Sequence, residues 1–335
     1  MQWVIREAPE GWQDLVPEGM PGILGRLLAQ RGVHHDEVER FLRPRLAELT
    51  DPFEIPEINL AVERILHAVD KDERVCVYGD YDVDGVSSIA VLCKTLEAYG
   101  LKPASFIPRR SSEGYGLSEG GLERCLNECG KPDLMISVDC GTVSNEAIAM
   151  LKSKGVDTVV VDHHEIGPDG RPDCVALVNP KASKHSHEYL CAAGVVFKLA
   201  HALLKRRPLD KFDLKSVLDL VAVATISDIV PLVDENRIIV RHGLRRLKNS
   251  VRPGLRALLK LTGAEGRLSS SDIGFRIGPR LNAAGRMDQP EQALAILMTD
   301  CSNKALELAD ELENFNRNRQ QLEQAIFAEA MAMLK

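Results

Sequence analysis

A short apolar run that ends in three closely spaced aspartates constrains the fold of this chain more than any other feature. The run at 75–78 reads Val-Cys-Val-Tyr, and after Gly79 come Asp80, Asp82 and Asp84. Such a run predicts a buried strand. Because alternate side chains of an extended backbone share a face, we expect the three carboxylates on one side, just beyond the strand's carboxyl end. Open α/β sheets bind their ligands at that edge.

The three carboxylates indicate a metal site. Carboxylates this close repel one another, and a hard divalent cation such as Mg²⁺, Mn²⁺ or Ca²⁺ offsets the repulsion. The pattern also begins the calcium loop of an EF-hand, but the twelfth position counted from Asp80 is Val91, where that loop requires a glutamate. A solvated acidic turn is the other alternative.

Alternating strands and helices follow from this point. The predicted elements are, in order, a strand at 75–78, a helix at 86–98, and strands at 104–107, 134–138 and 158–161. Short connections between such elements are typical of a parallel sheet covered by helices on both faces. The sequence therefore predicts a doubly wound, mainly parallel α/β fold.

Two more of these strands end in possible metal ligands. Asp139 follows the strand at 134–138, and Asp162, His163 and His164 follow the strand at 158–161. Carboxylates with an imidazole suit Mn²⁺, with Mg²⁺ as the alternative, and a carboxylate between two ions can bridge them. We expect Asp139 to bridge. A capped helix start with exposed histidines is the structural alternative for the last three residues.

Composition sets the outer limits. With 335 residues, 44% hydrophobic and 27% charged, the chain has room for one large domain or two. A net charge of −7 argues against a wholly basic nucleic-acid-binding surface but allows a local basic track. The eight cysteines form no C-x-x-C pair, which indicates reduced thiols. No apolar stretch reaches the roughly 18 residues of a membrane span, and we expect a cytoplasmic protein without a membrane partner.

Helical patterns flank the α/β region. Residues 1–60 are predicted to form a helical N-terminal cap, with helices at 23–31 and 35–42. Residues 61–300 are predicted to form the α/β domain, whose second half is mostly helical. From residue 303, apolar residues recur mostly at three- and four-residue steps, so that 301–335 is predicted to be a long amphipathic helix.

The second half adds one acid and several basic candidates. Asp228 ends an apolar helical run at 214–226, where a charge must be paired, capped or ligating, and we favour ligation. Eight basic residues and no acid lie between 237 and 260, which fits either a solvated helix face or a phosphate-backbone track. Arg280 and Arg286 stand beside glycines, and Arg280 is our candidate phosphate clamp. Arg109 is a weaker candidate, with a surface salt bridge as its alternative.

These motifs together resemble a known family. The segments 80–85, 138–141 and 162–164 resemble the first three motifs of the DHH phosphoesterase superfamily, named for its Asp-His-His. The segments 192–198, 224–232 and 278–286 are similar to its RecJ branch, the 5′-to-3′ single-stranded-DNA exonucleases. The likeness begins near residue 20 and reaches the end of the chain, and the motifs stand in the family's order.

The resemblance implies a role for each matching residue. Two Mn²⁺ or Mg²⁺ ions would be held by Asp82, Asp84, Asp139, His163 and Asp228. His164 would face the scissile phosphate, and Asp80 would assist catalysis. Tyr78 stands near the place of a histidine found in other branches, which leaves the shell of the first ion least defined. The phosphate contacts would come from Arg109, Asn282 and Arg286, beside the clamp at Arg280.

The resulting hypothesis is a metal-dependent phosphodiesterase that removes nucleotides from the 5′ end of single-stranded DNA by a two-metal mechanism, in repair and recombination. The expected partners are single-stranded DNA and, as candidates, a single-stranded-DNA-binding protein or a helicase, with the chain itself a monomer. A phosphoesterase acting on short oligonucleotides or nucleotides is the alternative enzyme. A replication scaffold without metal ligands is the non-enzyme alternative, which the intact acids and histidines disfavour.

RecJ-like proteins continue beyond the long helix into further DNA-binding domains, one of them an OB-fold. The sequence leaves open whether the chain is a fragment or a naturally short protein.

Overall fold

The computed structural model describes residue 4 and residues 7–114, 116–182, 187–266 and 268–334. The chain divides into two compact units, Met1–Leu49 and Thr50–Lys335. The division of the sequence at residues 60 and 300 stays a prediction.

The first unit is a small helical assembly. Its helices are α1 Ile23–Ala29 and α2 Val38–Leu42, packed around a cluster that includes the buried Leu28 and Val33. Helix α1 ends two residues before the predicted end, and Gly32 follows with a φ of 72°, in the left-handed region that glycine adopts without strain. The first residues of the second predicted helix form a 3₁₀ turn at 35–37 instead.

The second unit carries all the strands of the described residues. The strands are β1 Val75–Gly79, β2 Ala104–Phe106, β3 Leu134–Val138, β4 Asp157–Val161 and β5 Ala176–Val178. Its helices are α3 Ile58–Lys71, α4 Val83–Ala98, α5 Arg110–Glu113, α6 Glu119–Cys129, α7 Asn145–Ser153, α8 Ala192–Arg206, α9 Leu218–Ser227, α10 Asp234–Lys248, α11 Pro253–Leu261, α12 Ser270–Asp272, α13 Gly278–Arg286, α14 Pro290–Met298 and α15 Ser302–Met333.

The five strands form one parallel sheet in the order β2-β1-β3-β4-β5. The predicted doubly wound α/β class is confirmed. Strand β5 was not predicted, although it lies in an apolar run at 174–178 that has the length of a buried strand. The register is flush at the carboxyl end: Gly79 pairs with Val138, and Val138 pairs with Val161. The residues that follow these three strands therefore begin side by side.

Helices cover both faces of the sheet. On one face, Cys76 and Tyr78 of β1 belong to an apolar cluster with Leu122 of α6 and Ile148 of α7. Helices α3, α4 and α8 pack together as another layer, and α4 also contacts α9. All five residues of β1 are buried, as expected for a strand covered on both sides.

The aspartate-rich segment is less extended than the sequence suggested. Helix α4 begins at Val83, three residues before the predicted start. Asp82 is the cause, because its carboxylate accepts hydrogen bonds from the amides of Asp84 (2.9 Å) and Gly85 (3.0 Å) and so caps the helix. Asp80 thus follows the strand, Asp82 is the cap, and Asp84 lies in the first helical turn.

The predicted long C-terminal helix is present. Helix α15 has 32 residues, and its first half buries Ala305, Leu308 and Leu312. The side chains from residue 320 to residue 334 are exposed. In the described part of the chain, no helix is both long and apolar enough to cross a membrane.

A buried ionic cluster joins the start of the second unit to α8 and α10. The ammonium of Lys198, fully buried, donates to Glu235 Oε1 (3.0 Å) and to the carbonyl of Thr50 (2.9 Å). His187 Nδ1 lies 3.2 Å from the other oxygen of Glu235. Burial alone would raise the pKa of Glu235, but the contacts with His187 and Lys198 outweigh it and lower that pKa to about 2. Burial lowers the pKa of Lys198.

We expect Glu235→Gln to destabilise the protein by about 3–5 kcal/mol, because Lys198 would be left buried without its counter-charge. The measurement is urea unfolding at neutral pH. The control is Glu54→Gln, since the Glu54 side chain at the edge of the same cluster is 50% exposed.

The ion pair of Glu235 and Lys198 also makes the stability of the fold depend on pH. The pKa of Glu235 is lower in the folded protein than its ordinary 4.5, so its stabilisation is full above pH 4.5 and is lost as the pH falls toward about 2. Glu235→Gln should lack this part of the acid sensitivity. Equal stability and equal acid sensitivity of variant and wild type would show that the cluster contributes nothing.

Candidate metal centre

The candidate site lies where the strand order changes direction. The chain passes from β1 to β2 on one side and then returns to β3 on the other side of β1. In doubly wound sheets the crevice beyond such a pair of strands is the usual ligand site. Asp80, Asp82 and Asp84 follow β1 and Asp139 follows β3, so the acids lie at this crevice.

His163 stands among three of the carboxylates. Its Nε2 atom lies 3.4 Å from Asp139 Oδ1, 3.7 Å from Asp84 Oδ2 and 3.8 Å from Asp228 Oδ2. Asp228 is the C-cap residue directly after α9. Four side chains that lie far apart in the sequence therefore surround one point.

A second group of carboxylates adjoins the first. One oxygen from each of Asp80, Asp82 and Asp139 lies within 4.8 Å of the other two. Asp139 thus has an oxygen near His163 and also belongs to this second group. The backbone of Asp139 has a φ of 61°, a strained conformation for a residue other than glycine, and such strain is common at functional sites.

The N-terminus of α8 holds Asp84 in place. The amides of Ala192 and Ala193 donate to its two carboxylate oxygens at 2.7 and 2.9 Å. These amides have no partner within their own helix, and the helix dipole there favours a negative charge. Burial nevertheless raises the pKa of Asp84 to about 6.

The other acids are strongly perturbed too. Burial first, and then the charge of Asp82, raises the pKa of Asp80 to about 7 and that of Asp228 to about 6. Burial and the charges of four neighbouring aspartates raise the pKa of Asp139 far above its usual range. The cost of ionising these groups shows that the cluster lacks positive charge.

Several oxygens also lack a partner. Among the described residues, no hydrogen bond of good geometry reaches either oxygen of Asp80 or Oδ2 of Asp228, although the amides of Tyr81 and Gly116 lie close enough to Asp80 to lower its pKa. Buried oxygens without donors, together with one imidazole, fit a hard divalent cation such as Mn²⁺ or Mg²⁺.

Asp162 has a different role from its acidic neighbours. It accepts hydrogen bonds from the amide of His163 (2.7 Å), from His164 Nδ1 (2.7 Å) and from the amide of Thr142 (3.0 Å). Burial would raise its pKa, but the bonds from His164 and Thr142 outweigh burial and lower it. Asp162 therefore stays ionised and orients His164, whose pKa that hydrogen bond raises.

Cavities open on two sides of the cluster. A cavity of about 190 Å³ is lined by Asp80, Tyr81, Asp82, Arg110, Asn282 and Arg286. A larger cleft, of about 780 Å³, is lined by residues that include His163, Lys181, Tyr189, Asp228 and Ile229. The cluster is thus reached through a small cavity that contains both acids and arginines and through a wider cleft.

The predicted phosphate-binding residues are placed differently from one another. Asn282 and Arg286 line the small cavity, and Asn282 Oδ1 also accepts from the amide of Val83 (3.0 Å). Arg280 donates to Glu313 Oε2 at 2.6 Å and to the carbonyl of Arg276 at 2.6 Å. Its guanidinium thus ties α13 to α15, and its role as a phosphate clamp stays a prediction.

Arg109 and the basic run also remain predictions. The amide of Arg109 donates to Glu113, and the small cavity is lined by its neighbour Arg110. Within the basic run at 237–260, Arg252 is paired with the buried Asp219 at 3.2 Å, which removes one charge from any phosphate track.

Sequence reasoning missed several residues around the cluster. The positioning role of Asp162 was visible only as the first letter of the Asp-His-His motif. The amides of Ala192 and Ala193 act through their backbone, which leaves no signal in residue type. Lys181, Arg110 and Tyr189 lie outside every motif, and only the folded chain brings them to the cavities.

Comparisons with known proteins agree with this architecture. Residues 74–225 match the model of the DHH family, N-terminal domain. The single-stranded-DNA-specific exonuclease RecJ of Bacillus subtilis is 39% identical over 100% of this chain and 42% of its own length. The solved structure of an exonuclease RecJ bound to manganese has a TM-score of 0.78 at 35% identity, covering 86% of this chain and 71% of that one.

A second solved structure, RecJ in complex with Mn²⁺ from Thermus thermophilus, has a TM-score of 0.83 at 31% identity and covers 97% of this chain and 46% of that one. The parallel sheet with its acid and histidine cluster is thus of the DHH type. The chain belongs to the DHH family and, within it, to the RecJ branch. It spans less than half the length of the Bacillus subtilis relative.

Close packing of α13 against the aspartate loop gives a testable consequence. A Cβ atom at Gly285 would lie 2.5 Å from the carbonyl oxygen of Tyr81, the residue between Asp80 and Asp82. Because backbone cannot yield like a side chain, Gly285→Ala should cost about 1–3 kcal/mol of stability. Thermal and urea unfolding would measure the loss.

The matched control is Gly120→Ala in α6, where a new Cβ meets nothing within 4 Å. That change should leave stability unchanged or raise it by about 0.5–1 kcal/mol, since alanine is the better helix former. Equal effects of the two substitutions would contradict the packing argument.

Proposed function

We propose that this chain is the catalytic part of a single-stranded-DNA-specific exonuclease that hydrolyses phosphodiester bonds from the 5′ end, in DNA repair and recombination. The observation that carries the proposal is the convergence of Asp84, Asp139 and Asp228 on His163 Nε2, at 3.4–3.8 Å. The likeness to RecJ of Bacillus subtilis over the whole chain supports the choice of substrate. The 5′-to-3′ direction rests on the family resemblance.

Two groups of residues would hold two Mn²⁺ or Mg²⁺ ions. Asp84, His163 and Asp228 would serve one ion, Asp82 would serve the other, and Asp139 would serve both. Asp80, whose carboxylate lies beside those of Asp82 and Asp139, would assist by its charge. A divalent cation bound there lowers the pKa of a water molecule and offsets the negative charge of the phosphate.

The remaining side chains position and bind the substrate. Asp162 and the side-chain amide of Asn179, which donates to the carbonyl of His164 at 2.9 Å, keep His164 in one orientation. The His164 side chain remains 40% exposed, so it can contact the phosphate that is cut. Because its hydrogen bond to Asp162 favours the protonated ring, His164 would bind that phosphate as a cation.

We expect the path of the DNA strand to follow the two cavities. Arg110 and Arg286 would contact phosphate groups in the small cavity, and Lys181 would do so in the wide cleft. Tyr189, 44% exposed in that cleft, offers a ring on which a base can stack. Unpaired bases stack on aromatic side chains, whereas a duplex keeps its bases inside, which explains a preference for single strands.

The proposal includes a domain division. Residues 61–300 would form the catalytic domain, residues 1–60 a helical cap, and residues 301–335 a helix leading to further domains. A monomeric state, a cytoplasmic location, and a single-stranded-DNA-binding protein or helicase as partner remain predictions.

The first test concerns the metal. We expect hydrolysis of a long 5′-phosphorylated single strand with Mn²⁺, slower hydrolysis with Mg²⁺, and none with Ca²⁺ or excess EDTA, because the ligands are hard oxygens with one imidazole. Dinucleotides run beside the long strand separate an exonuclease from a phosphoesterase of short substrates. Full hydrolysis in excess EDTA would refute the metal mechanism.

Asp139→Ala tests the shared ligand. Loss of a ligand to both ions should reduce turnover by about a hundredfold or more. The fold should persist, because removing one of the clustered charges relieves repulsion in the metal-free protein. Asp300→Ala, at an exposed loop position, is the control. A variant with most of the wild-type rate would show that Asp139 is not a ligand.

The proposed phosphate contact of Arg110 can be tested by comparing two arginine variants. Arg110→Ala should lower kcat/KM on DNA by about tenfold without changing Mn²⁺ binding, since it removes one charged contact with phosphate. Arg74→Ala, at the opposite end of β1, should have no such effect.

Arg280→Ala needs comparison with Glu313→Gln. If Arg280 clamps phosphate, only Arg280→Ala should weaken turnover on DNA. If its role is to tie α13 to α15, both variants should lose stability and turnover together, which would exclude the clamp.

A further inference from the structure

Three cysteines meet within the apolar layer between the sheet and α6, apart from the acid and histidine cluster. Cys76 lies on β1, and Cys125 and Cys129 lie one turn apart on α6. The Sγ atoms of Cys76 and Cys125 are 3.7 Å apart, and all three Sγ atoms lie within 4.8 Å of one another. Cys76 precedes Asp80 by four residues, or about 13 Å of extended strand.

The spacing of the sulfurs suits ligands of a shared metal ion. Zinc binds thiolates at about 2.3 Å in tetrahedral geometry, which places neighbouring sulfurs about 3.8 Å apart. The separation of 3.7 Å between Cys76 and Cys125 requires almost no adjustment. The three ligands also come from a rigid strand and a rigid helix, which keeps them in place without a metal.

A disulfide within this group could form only between Cys76 and one cysteine of α6. Its sulfurs must approach to about 2.05 Å with Cβ atoms about 3.8 Å apart. Residues four apart on a helix have Cβ atoms about 5–6 Å apart, so Cys125 and Cys129 cannot bond to each other while α6 stays intact. A disulfide also joins only two sulfurs, whereas three lie close together here.

The surroundings allow an ion to enter. Cys76 and Cys125 are buried with Tyr78, Phe106 and Leu122, whereas Cys129 at the edge of that cluster is partly exposed. The partly exposed thiol of Cys129 is thus the first ligand that an incoming ion would meet.

We propose that Cys76, Cys125 and Cys129 form a second metal site, for a soft cation of the Zn²⁺ or Cu⁺ class. Thiolates prefer such ions to Mn²⁺ or Mg²⁺, so this site and the acid and histidine cluster select different metals. Three sulfurs complete the shell of Cu⁺, while Zn²⁺ would take a fourth ligand from solvent beside Cys129. A bound ion would clamp α6 to β1 and stabilise the fold, because it binds only the folded arrangement.

The test uses the whole chain, reduced and freed of metal by a chelator. It is titrated separately with Zn²⁺, with Cu⁺ and with Cd²⁺, a spectroscopic substitute for zinc. Ultraviolet charge transfer from sulfur to Cd²⁺ reports thiolate ligation, to which the aspartates and histidines of the first cluster cannot contribute. We expect Cd²⁺ to produce the band, and Zn²⁺ or Cu⁺ to prevent it and to raise Tm.

Cys129→Ser is the main variant, because its partly exposed position tolerates a hydroxyl without unfolding the core. It should weaken Cd²⁺ and Zn²⁺ binding by about a hundredfold, since it removes one of three sulfur ligands. Cys301→Ser, at an exposed cysteine, and Cys93→Ala, at a buried cysteine of α4, should leave the band unchanged. Circular dichroism verifies that each variant is folded.

Two results would overturn the proposal. One is the absence of a charge-transfer band in the wild type, or a band that survives in Cys129→Ser. The other is a Cys76–Cys125 disulfide that forms in air while no metal binds, which would make the cluster a redox pair. Neither result bears on hydrolysis of DNA, so the failure of this site and the failure of the proposed nuclease activity are distinguishable.

Discussion

Two backbone amides at the start of α8 hold the carboxylate of Asp84 in the interior, and the rest of the site depends on that interaction. Helix α4 carries Asp84 in its first turn, so the hydrogen bonds from Ala192 and Ala193 fix the beginning of α4 against α8. Hydrogen bonds to a charged group contribute about 1.5–3 kcal/mol each. They stabilise a buried charge without a positive side chain, which leaves room beside Asp84 for His163.

The site concentrates negative charge that the protein does not neutralise by itself. Burial and mutual repulsion raise the pKa values of Asp80, Asp84, Asp139 and Asp228. This arrangement is unfavourable for folding, and the largely buried parallel sheet provides the stability that maintains it. The fold thus keeps a cavity of concentrated negative charge open to a cation. Asp162 differs because its carboxylate accepts hydrogen bonds from His164 and Thr142. It therefore orients His164, whereas the other aspartates are free to bind a metal ion.

Two regions of the sheet carry different kinds of metal-binding side chains. Hard oxygen donors collect at the carboxyl ends of β1, β3 and β4, where loops leave the sheet and water enters. Soft sulfur donors collect within the layer between β1 and α6, where an apolar core favours cysteine over a charged residue. The same strand contributes to both, since Cys76 and Asp80 are only four residues apart. A parallel sheet permits this because its strand ends and its faces are separate environments.

The sequence alone determined the class of fold and most residues of the acid and histidine cluster. The tertiary structure decided which side chains contact one another. Strand and helix periodicity is a local property, so the alternation from residue 75, the long C-terminal helix and the acids after three of the strands were readable. In parallel sheets the ends of strands coincide, which made the meeting of Asp80, Asp139 and His163 predictable. Strand β5, in the apolar run at 174–178, was also readable but was not predicted.

Contacts between distant segments were beyond such reasoning. Arg280 binds Glu313, 33 residues away, and Arg110 rather than Arg109 lines the small cavity. Cys76 and Cys125 are 49 residues apart and belong to no spacing motif, yet they touch. These pairings depend on how helices pack onto the sheet and on the rotamers of long side chains. Packing is set by the whole chain at once, whereas periodicity is set by neighbours along the sequence.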